Sequence, residues 1–519
     1  MRTNTTLPSI LLVFCTIHLL GQSGTLDMDF GENGIAIYDF ASVNYAKDLA
    51  IQEDGKIVVV GGSREPVNFN EWHISMIRLN PDGSGDNTFL NNGILYEVAG
   101  EGSANSVAMQ ADGKIIIVGT IERQSTNNIV LIRLNPDGSY DTSFNSSGIT
   151  YTNIEEYSTG GSSVFILPNG KILVAGTAYS TNDKGFAVFL YKQDGTLDNT
   201  FGTNGYGIIQ FENYYSVKSA AIQTDGKIVL IGHFYDGTEY DFALARFTSD
   251  GYADLSFGTD GKLISDFGGN NLAEDVVIQD DQKIIIVGYS GWYYDEPSHI
   301  ILARYSSEGS LDETFGANGI ITTVVGYNID AKTVVIQSDG KIVIAGSSRL
   351  EYESYKYFTL VRYNSDGSLD NSFGIEGISG NEIRGSILSS AIQADEKIIV
   401  VGANSTYSSD SPSSNTVARY LSGLNTGVVD FSKQSNTSLI YPNPIEETAT
   451  LEYELIKNER LSAVLYDISG KIISTFFALE NRKKGMHKEI INFSNIPSGK
   501  YILRLSNHSS SMSIKIIKL

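Results

Sequence analysis

Three groups of side chains in this 519-residue chain have the types and spacings that chemistry can use. The first is a carboxylate pair, D-G-x-x-D, at Asp82/Asp86, Asp137/Asp141, Asp194/Asp198, Asp250/Asp254 and Asp366/Asp370. Calcium wants several oxygen ligands, so the spacing raises a calcium site. The competing reading is a turn whose Asp side chains accept nearby backbone N–H groups, and recurrence favours it. The second group sets aromatic rings beside acids: Trp72, Tyr235, Tyr240, Trp292, Tyr293, Tyr294, Tyr352 and Tyr355, with Asp236, Glu239, Asp295, Glu296, Glu351 and Glu353 among them. A ring covers the apolar face of a sugar while carboxylates take its hydroxyls; the same mixture serves protein contacts, or simply covers the edges of a fold. The third group is His73, His233 and His299, which are scattered and lack ligand spacing. No G-x-S-x-G, H-E-x-x-H or phosphate-cradling glycine loop accompanies them, so no residue is assigned a catalytic or metal-binding role.

What must position these residues is a repeat. The stretch QEDGKIVVVGG at Gln52 returns as QADGKIIIVG at Gln110, LPNGKILVAG at Leu167, QTDGKIVLIG at Gln223, QDDQKIIIVG at Gln279, QSDGKIVIAG at Gln337 and QADEKIIVVG at Gln393. The steps between copies are 58, 57, 56, 56, 58 and 56 residues. So even a period makes the repeat the architectural unit. In the first unit GIAIYDF reads as strand one and AKDLAIQ as strand two. Asp54-Gly55 reads as a type I′ hairpin turn, since both central positions of that turn need positive φ. IVVVGG, apolar on both faces, is strand three and HISMIRLN strand four. Four short antiparallel strands per unit, seven times over, predict an all-β fold: a seven-bladed β-propeller of four-stranded blades. The offset between sequence unit and blade stays open. With such strands, the loops joining strands one to two and three to four share one face, and the aromatic group falls there.

A phenylalanine marks each unit start (Phe30, Phe89, Phe144, Phe201, Phe257, Phe315 and Phe373), and six units carry an arginine in strand four: Arg78, Arg133, Arg246, Arg304, Arg362 and Arg419. The third unit has Leu190 there and Leu167 in place of the usual Gln. Joint loss predicts that this Gln and Arg touch, because losing one alone strands a buried polar group. The recurring lysines, Lys56 through Lys397, read as scaffold.

The patterns L-D-x-x-F-G-x-x-G, Q-x-D-G-K-I-x-x-x-G and R-x-N-x-D-G-S resemble the delta-60 repeat, a β-propeller domain of unknown function in bacterial surface proteins. The resemblance covers roughly residues 25 to 423. It implies the propeller fold and brings no catalytic residue with it.

Charge and composition narrow the partners. The net charge is −23; residues 439–519 hold 11 Lys/Arg against 8 Asp/Glu, so the tail is +3 and the rest −26. That acidity disfavours nucleic acid and anionic lipid and suits divalent cations or neutral sugars. Residues 1–23 read as a signal peptide, with Arg2, an apolar core from Ile10 to Leu20, and small residues at Gly21 and Ser23. The single cysteine, Cys15, lies inside that core, so the mature chain is expected to have no thiol, disulfide or lipid anchor. No later stretch is long and apolar enough to span a bilayer.

Residues 24–423 are then the propeller, 424–438 a polar linker, and 439–519 a second domain whose alternating strands and Ser-Gly turns predict a small β-sandwich. YPNP at Tyr441, LYDISGKII, the Pro497-Ser498-Gly499-Lys500-Tyr501 turn and the terminal KIIKL resemble the type A C-terminal sorting domain of the type IX secretion system of Bacteroidetes. The resemblance implies engagement of that machinery, export, removal of the tail, and release or attachment at the cell surface. The chain is therefore expected to be a secreted or surface-anchored protein that binds a glycan or protein through variable loops. A polysaccharide lyase or hydrolase on the same scaffold, and a passive surface-layer component, are the alternatives. Apart from the calcium question no cofactor is expected.

Overall fold

Each predicted strand forms, and the first unit shows why the sequence unit and the sheet are out of step. In the computed structural model, which describes residues 23–39, 43–64, 72–90, 94–97, 101–123, 125–154, 156–180, 184–212, 214–291, 297–350, 355–404, 414–424, 439–441, 444–455, 458–467, 472–506 and 511–519, no helix occurs among the described residues. Residues 1–22 of the predicted signal peptide 1–23 lie outside them, as does most of the predicted linker. Val43–Ile51, Ile57–Arg64, His73–Leu79 and Ile94–Glu97 pair in sequence order as one antiparallel sheet. The segment read as strand one of a unit is thus the fourth strand of the preceding sheet. Four further four-stranded sheets repeat this plan. The last six strands of this part join through Ile378–Ile392, which pairs first with Tyr357–Tyr363 and then with Ile398–Asn404. The fourth partner of the final strands comes from the chain's beginning: Ile35–Tyr38 pairs with Ser414–Tyr420, Ala36 opposite Val417.

Strand three is buried along its length because it is covered on both faces. Val58 and Val60 pack with Ile115, Ile117, Val130 and Ile132 of the next sheet, while Ile57 and Val59 face Ile399, Val401 and Val417 of the last. The glycine that ends each apolar run is required by a bulge. In strand two the register slips between Ala46 and Asp48, which drives the Tyr45 carbonyl inward; a Cβ on Gly61 would stand 1.8 Å from that oxygen. The bulge frees polar groups that stitch neighbouring sheets. Asp48 accepts the Val107 N–H at 3.0 Å and the Ser389 hydroxyl at 2.8 Å, and Asp275 accepts the Val334 N–H at 2.8 Å and the Ser219 hydroxyl at 2.7 Å.

The Asp-Gly turn is not type I′. Gly55 has φ +82° but Asp54 is not left-handed; the Gly55 N–H donates to Gln52 O at 2.8 Å, and Asp54 Oδ1 accepts the Lys56 N–H at 3.2 Å. This is a three-residue loop closed by a left-handed residue, so only the last position needs positive φ. Gln282 and Glu396 fill it in two units, both with φ +67°.

The D-G-x-x-D carboxylates are consumed by the scaffold. Asp82 Oδ1 accepts the Ser84 N–H and hydroxyl, and Asp86 Oδ1 accepts those of Thr88, as the turn reading predicts. The second Asp does more. Its Oδ2 receives the strand-four arginine Nε at 2.7–2.8 Å in six units and the recurring lysine at 2.6–3.6 Å in all seven, the seventh being built from Asp27, Arg419 and Lys397. Each arginine lies over the unit-marking phenylalanine, Cζ 4.0–4.7 Å from the ring centroid. Its Nη1 donates to a carbonyl in the next sheet's turn, from Arg78 to Pro136 at 2.6 Å and, at the ring's seam, from Arg419 to Pro81 at 2.6 Å. The predicted Gln–Arg contact is found in two units, Arg362 to Gln337 at 3.1 Å and Arg246 to Gln223 at 3.4 Å. Aspartate, not glutamine, is therefore the arginine's constant partner. In the third unit Leu190 and Leu167 join an apolar cluster with Phe201 and Phe247, and among the described residues Lys171, at 2.6 Å, is the one cation paired with Asp198.

The chain divides into two compact units, residues 1–424 and 425–519. In the second, Leu439–Tyr441, Thr448–Leu455 and Gly485–Asn492 form one sheet, and Ile472–Arg482, Glu459–Asp467, Gly499–Ser506 and Ser511–Lys518 another. The two share a core that includes Leu451, Tyr453, Leu465, Phe493 and Leu503.

Candidate functional site

Where the repeat ceases to be uniform, the junction of the first two sheets opens a cleft of about 550 Å³. The first strand of the first sheet, Val43–Ile51, contributes Tyr45 and Lys47, and Trp72 immediately precedes its third strand, His73–Leu79. The second sheet contributes Glu101 and Ser103 from Glu101–Met109, Thr120 and Glu122 from Ile115–Arg123, and Asn127 from Thr126–Leu134. Trp72 packs closely over Gly62, where a Cβ would meet the indole at 3.2 Å. Its carbonyl accepts the Gly102 N–H at 2.8 Å, which ties it to the second sheet. Tyr45 and Trp72 rings are 5.4 Å apart and tilted by 43°, and the Arg64 guanidinium sits 5.1 Å from the indole centroid.

The cleft floor is polar and held in place. Lys47 Nζ donates to Ser103 Oγ at 2.7 Å and Asn105 Oδ1 at 2.8 Å, and burial lowers its pKa. Asn127 Nδ2 donates to the Tyr179 hydroxyl at 2.7 Å. Glu101 and Glu122 are directly opposed on adjacent strands, both exposed. Two rings, two carboxylates, an ammonium and an amide thus converge on one concave surface, the donor set for hydroxyl-rich ligands.

The other expected residues that the structure describes, Tyr235, Tyr240 and Tyr355, do not line this cleft. Tyr235 and Tyr240 face each other across a hairpin in the fourth unit, centroids 4.8 Å apart, but the Tyr235 hydroxyl donates to Gly237 O at 2.9 Å within its own loop. Tyr355 carries the Arg384 guanidinium 4.3 Å above its ring. Trp292, Tyr293, Tyr294 and Tyr352 lie outside the described residues. Among the described members of the aromatic group, Trp72 is the one that lines the cleft. The histidines are also separate: His233 is buried, Nε2 donating to Ala273 O at 2.9 Å, and burial followed by the Lys218 charge pushes its pKa down to about 4.

Two features were not read from the sequence. One is the polar inner strand, where Glu274 is gripped by Lys332 at 2.7 Å and Lys218 at 3.4 Å; those charges outweigh the burial that would raise its pKa. The signal was available: the position of Lys47 is filled by Asn105, Ser162, Lys218, Glu274, Lys332 and Leu388 in the other units, varying inside an otherwise regular strand. The other is an acidic trio, Glu239, Asp241 and Asp266, whose oxygens lie within 4.8 Å of one another. Burial, then the charges of Asp266, Glu239 and Asp236, push Asp241 up to about 6. A larger cleft of about 1050 Å³ opens among the Asp-Gly turns, but it is lined by recurring residues such as Lys56 and Arg78 that are already ion-paired.

With this geometry in view, residues 52–89, 110–144, 167–201, 223–257, 279–315 and 337–373 match a family described as a domain of unknown function (DUF5122) beta-propeller. Residues 439–519 match the secretion system C-terminal sorting domain. No curated protein matches the chain. Similar solved structures include a protein of unknown function from Dyadobacter fermentans, 10% identical, covering 74% of this chain and 98% of that one with a TM-score of 0.40. The polysaccharide lyase Uly1 is 10% identical over 76% and 93%, TM-score 0.43, and an α-L-arabinofuranosidase from Fusarium graminearum is 11% identical over 60% and 92%, TM-score 0.37. The sorting domain marks the chain for type IX secretion to the cell surface or extracellular space. No helix among the described residues is long and apolar enough to cross a membrane.

Proposed function

We propose that this chain, which carries six DUF5122 β-propeller matches and a secretion-system C-terminal sorting domain, is a surface-displayed glycan-binding propeller. The observation that carries the reading is the Tyr45–Trp72 cleft, with Glu101, Glu122, Lys47 and Asn127 around two rings. The ring has seven blades. Six evenly spaced family matches support that number, because a match runs from one unit's Gln to the next unit's Phe, and the seventh is divided: Arg419 and Lys397 find Asp27, and Phe30, at the other end of the chain. Residues 24–423 form this ring after a signal peptide of residues 1–23, residues 424–438 link it to the tail, and residues 439–519 are a β-sandwich that engages the secretion machinery. The common core of the tail's two sheets supports the sandwich.

A hydrolase reading draws on one observation, the opposed pair Glu101 and Glu122 at the cleft rim, since two flanking carboxylates are what glycoside hydrolysis uses. Both readings meet in one experiment: the secreted protein is applied to a glycan panel with product detection alongside. Saturable retention of a glycan without products, lost in Trp72→Ala, is the expected result. Products from a glycan would replace binding with hydrolysis or lysis. Retention of a protein only, or of nothing, would sink the glycan assignment and favour a protein partner or a passive surface role.

A further inference from the structure

The recurring aspartate of each unit is neutralised by a cation, which makes a second buried carboxylate in the fourth unit informative. Asp254 of that unit is held by Arg246 at 2.7 Å and Lys227 at 3.3 Å. Asp241, 5% exposed, has neither, and its Oδ1 is buried without a hydrogen-bond partner. Among the described residues, none of Glu239, Asp241 and Asp266 is ion-paired with a lysine or arginine. Such an arrangement has no protein-supplied compensation for a buried anionic oxygen.

The fold builds the trio rigidly. Phe242 is in register with Ser265, so Asp241 and Asp266, one step further out, come together at the end of two paired strands. Glu239 ends a hairpin loop in which Asp236 Oδ1 accepts the N–H groups of Thr238 at 2.6 Å and Glu239 at 2.8 Å. One oxygen from each of the three lies within 4.8 Å of the other two. Two ligands held about 2.4 Å from one calcium ion are separated by at most about 4.8 Å, and each pair in the trio meets that limit. Three carboxylates without histidine or cysteine select a hard cation over zinc. Calcium also accepts water in its remaining positions, on the exposed side offered by Asp266.

We propose that Glu239, Asp241 and Asp266 form a calcium site at the loop end of the fourth unit. It is independent of the Tyr45–Trp72 cleft and does not use the D-G-x-x-D turns. The ion would fix the Asp236–Tyr240 hairpin, and Tyr240, adjacent to Asp241, lies close enough to sensitise a lanthanide in its place.

The test uses the full secreted chain, stripped with EDTA and titrated with calcium chloride by calorimetry, with terbium luminescence excited through tyrosine as a second readout. One saturable site is expected, with a Kd of about 0.1 to 1 mM, the range of extracellular calcium modules. Asp241→Asn and, separately, Asp266→Asn should each weaken it at least about tenfold and abolish the rise in melting temperature that calcium gives the wild type. In EDTA both variants should melt no lower than wild type, since each removes a like charge; Asp266, being exposed, supplies a variant that folds if Asp241→Asn does not. No saturable binding up to about 10 mM calcium, or binding unchanged in both variants, would overturn the site.

Discussion

Replacing Arg246 by Leu is the sharpest perturbation of the scaffold, because the third unit already carries leucine at that position and shows what must change with it. Arg246 is fully buried; it binds Asp254 at 2.7 Å, Glu308 at 2.8 Å, the Ser307 carbonyl, and the ring of Phe257 at 4.6 Å. Three losses follow. The Ser307 carbonyl is orphaned, at about 1 to 2 kcal/mol. Asp254 keeps Lys227 and its turn bonds, so only part of its charge stabilisation goes, roughly 1 kcal/mol, and stacking on Phe257 accounts for about another. The sum is about 3 to 4 kcal/mol. Over a ring of about 400 residues the unfolding entropy converts this to a fall in Tm of roughly 4 °C. Gln223, which touches Arg246 at 3.4 Å, is the residue that changes with it in the third unit, to Leu167. The double variant Arg246→Leu/Gln223→Leu should therefore recover about 1 kcal/mol relative to additivity. Differential scanning calorimetry of wild type, both singles and the double provides the cycle. A single Arg246→Leu loss below about 1 kcal/mol, or strict additivity, would refute the buried-network reasoning.

Two more outcomes follow from the same interactions. Burial tends to raise Asp86 and Asp254, but the hydrogen bonds from Thr88 and Ser256 and the charges of Arg78 and Arg246 prevail and hold both down to about 2; in Asp198 the Lys171 contact leads, with the same result. A depressed folded pKa gives stability that is present above the unfolded value of about 3.8 and lost as pH falls towards 2, about 2 kcal/mol for each carboxylate. The ring should accordingly unfold between pH 4 and 2 as followed by circular dichroism, whereas an intact ring at pH 2 would contradict these ion clusters. Gly61→Ala should cost at least about 3 kcal/mol in denaturant melts, since its Cβ meets the Tyr45 carbonyl, while Gly237→Ala, with nothing within 4 Å, should cost about 1 kcal/mol despite its φ of +108°. Equal costs would remove the bulge as the reason for the glycine.

The strands and their order were legible because the Q-x-D-G-K stretch repeats with an even step and alternates predictably. The turn type was not, since Asp54-Gly55 suits two loops and only the Gly55 N–H bond to Gln52 decides between them. The arginine's partner was misjudged for a related reason: covariation of Leu167 with Leu190 marks a shared environment, whereas Asp254, eight residues past Arg246, is present whether or not the arginine is. At the site, Trp72 could be picked out by type, being one of two tryptophans. Tyr45, Lys47, Glu101 and Glu122 could not, because they meet across the junction of two sheets, more than fifty residues apart in places, and no linear spacing encodes that meeting. Asp241 and Asp266 escaped notice likewise, joined only through the register of two strands.

The site assignment turns on whether a ligand sits on Trp72, and the chain's two tryptophans, Trp72 and Trp292, allow this to be read optically. The measurement is a fluorescence titration, excited at the indole, of the strongest glycan from the panel into wild type, Trp72→Phe and Trp292→Phe. A saturable change in wild type and Trp292→Phe that disappears in Trp72→Phe, with affinity weakened at least about tenfold, is the expected result. A change that survives in Trp72→Phe and vanishes in Trp292→Phe would move the ligand to another unit and contradict the cleft.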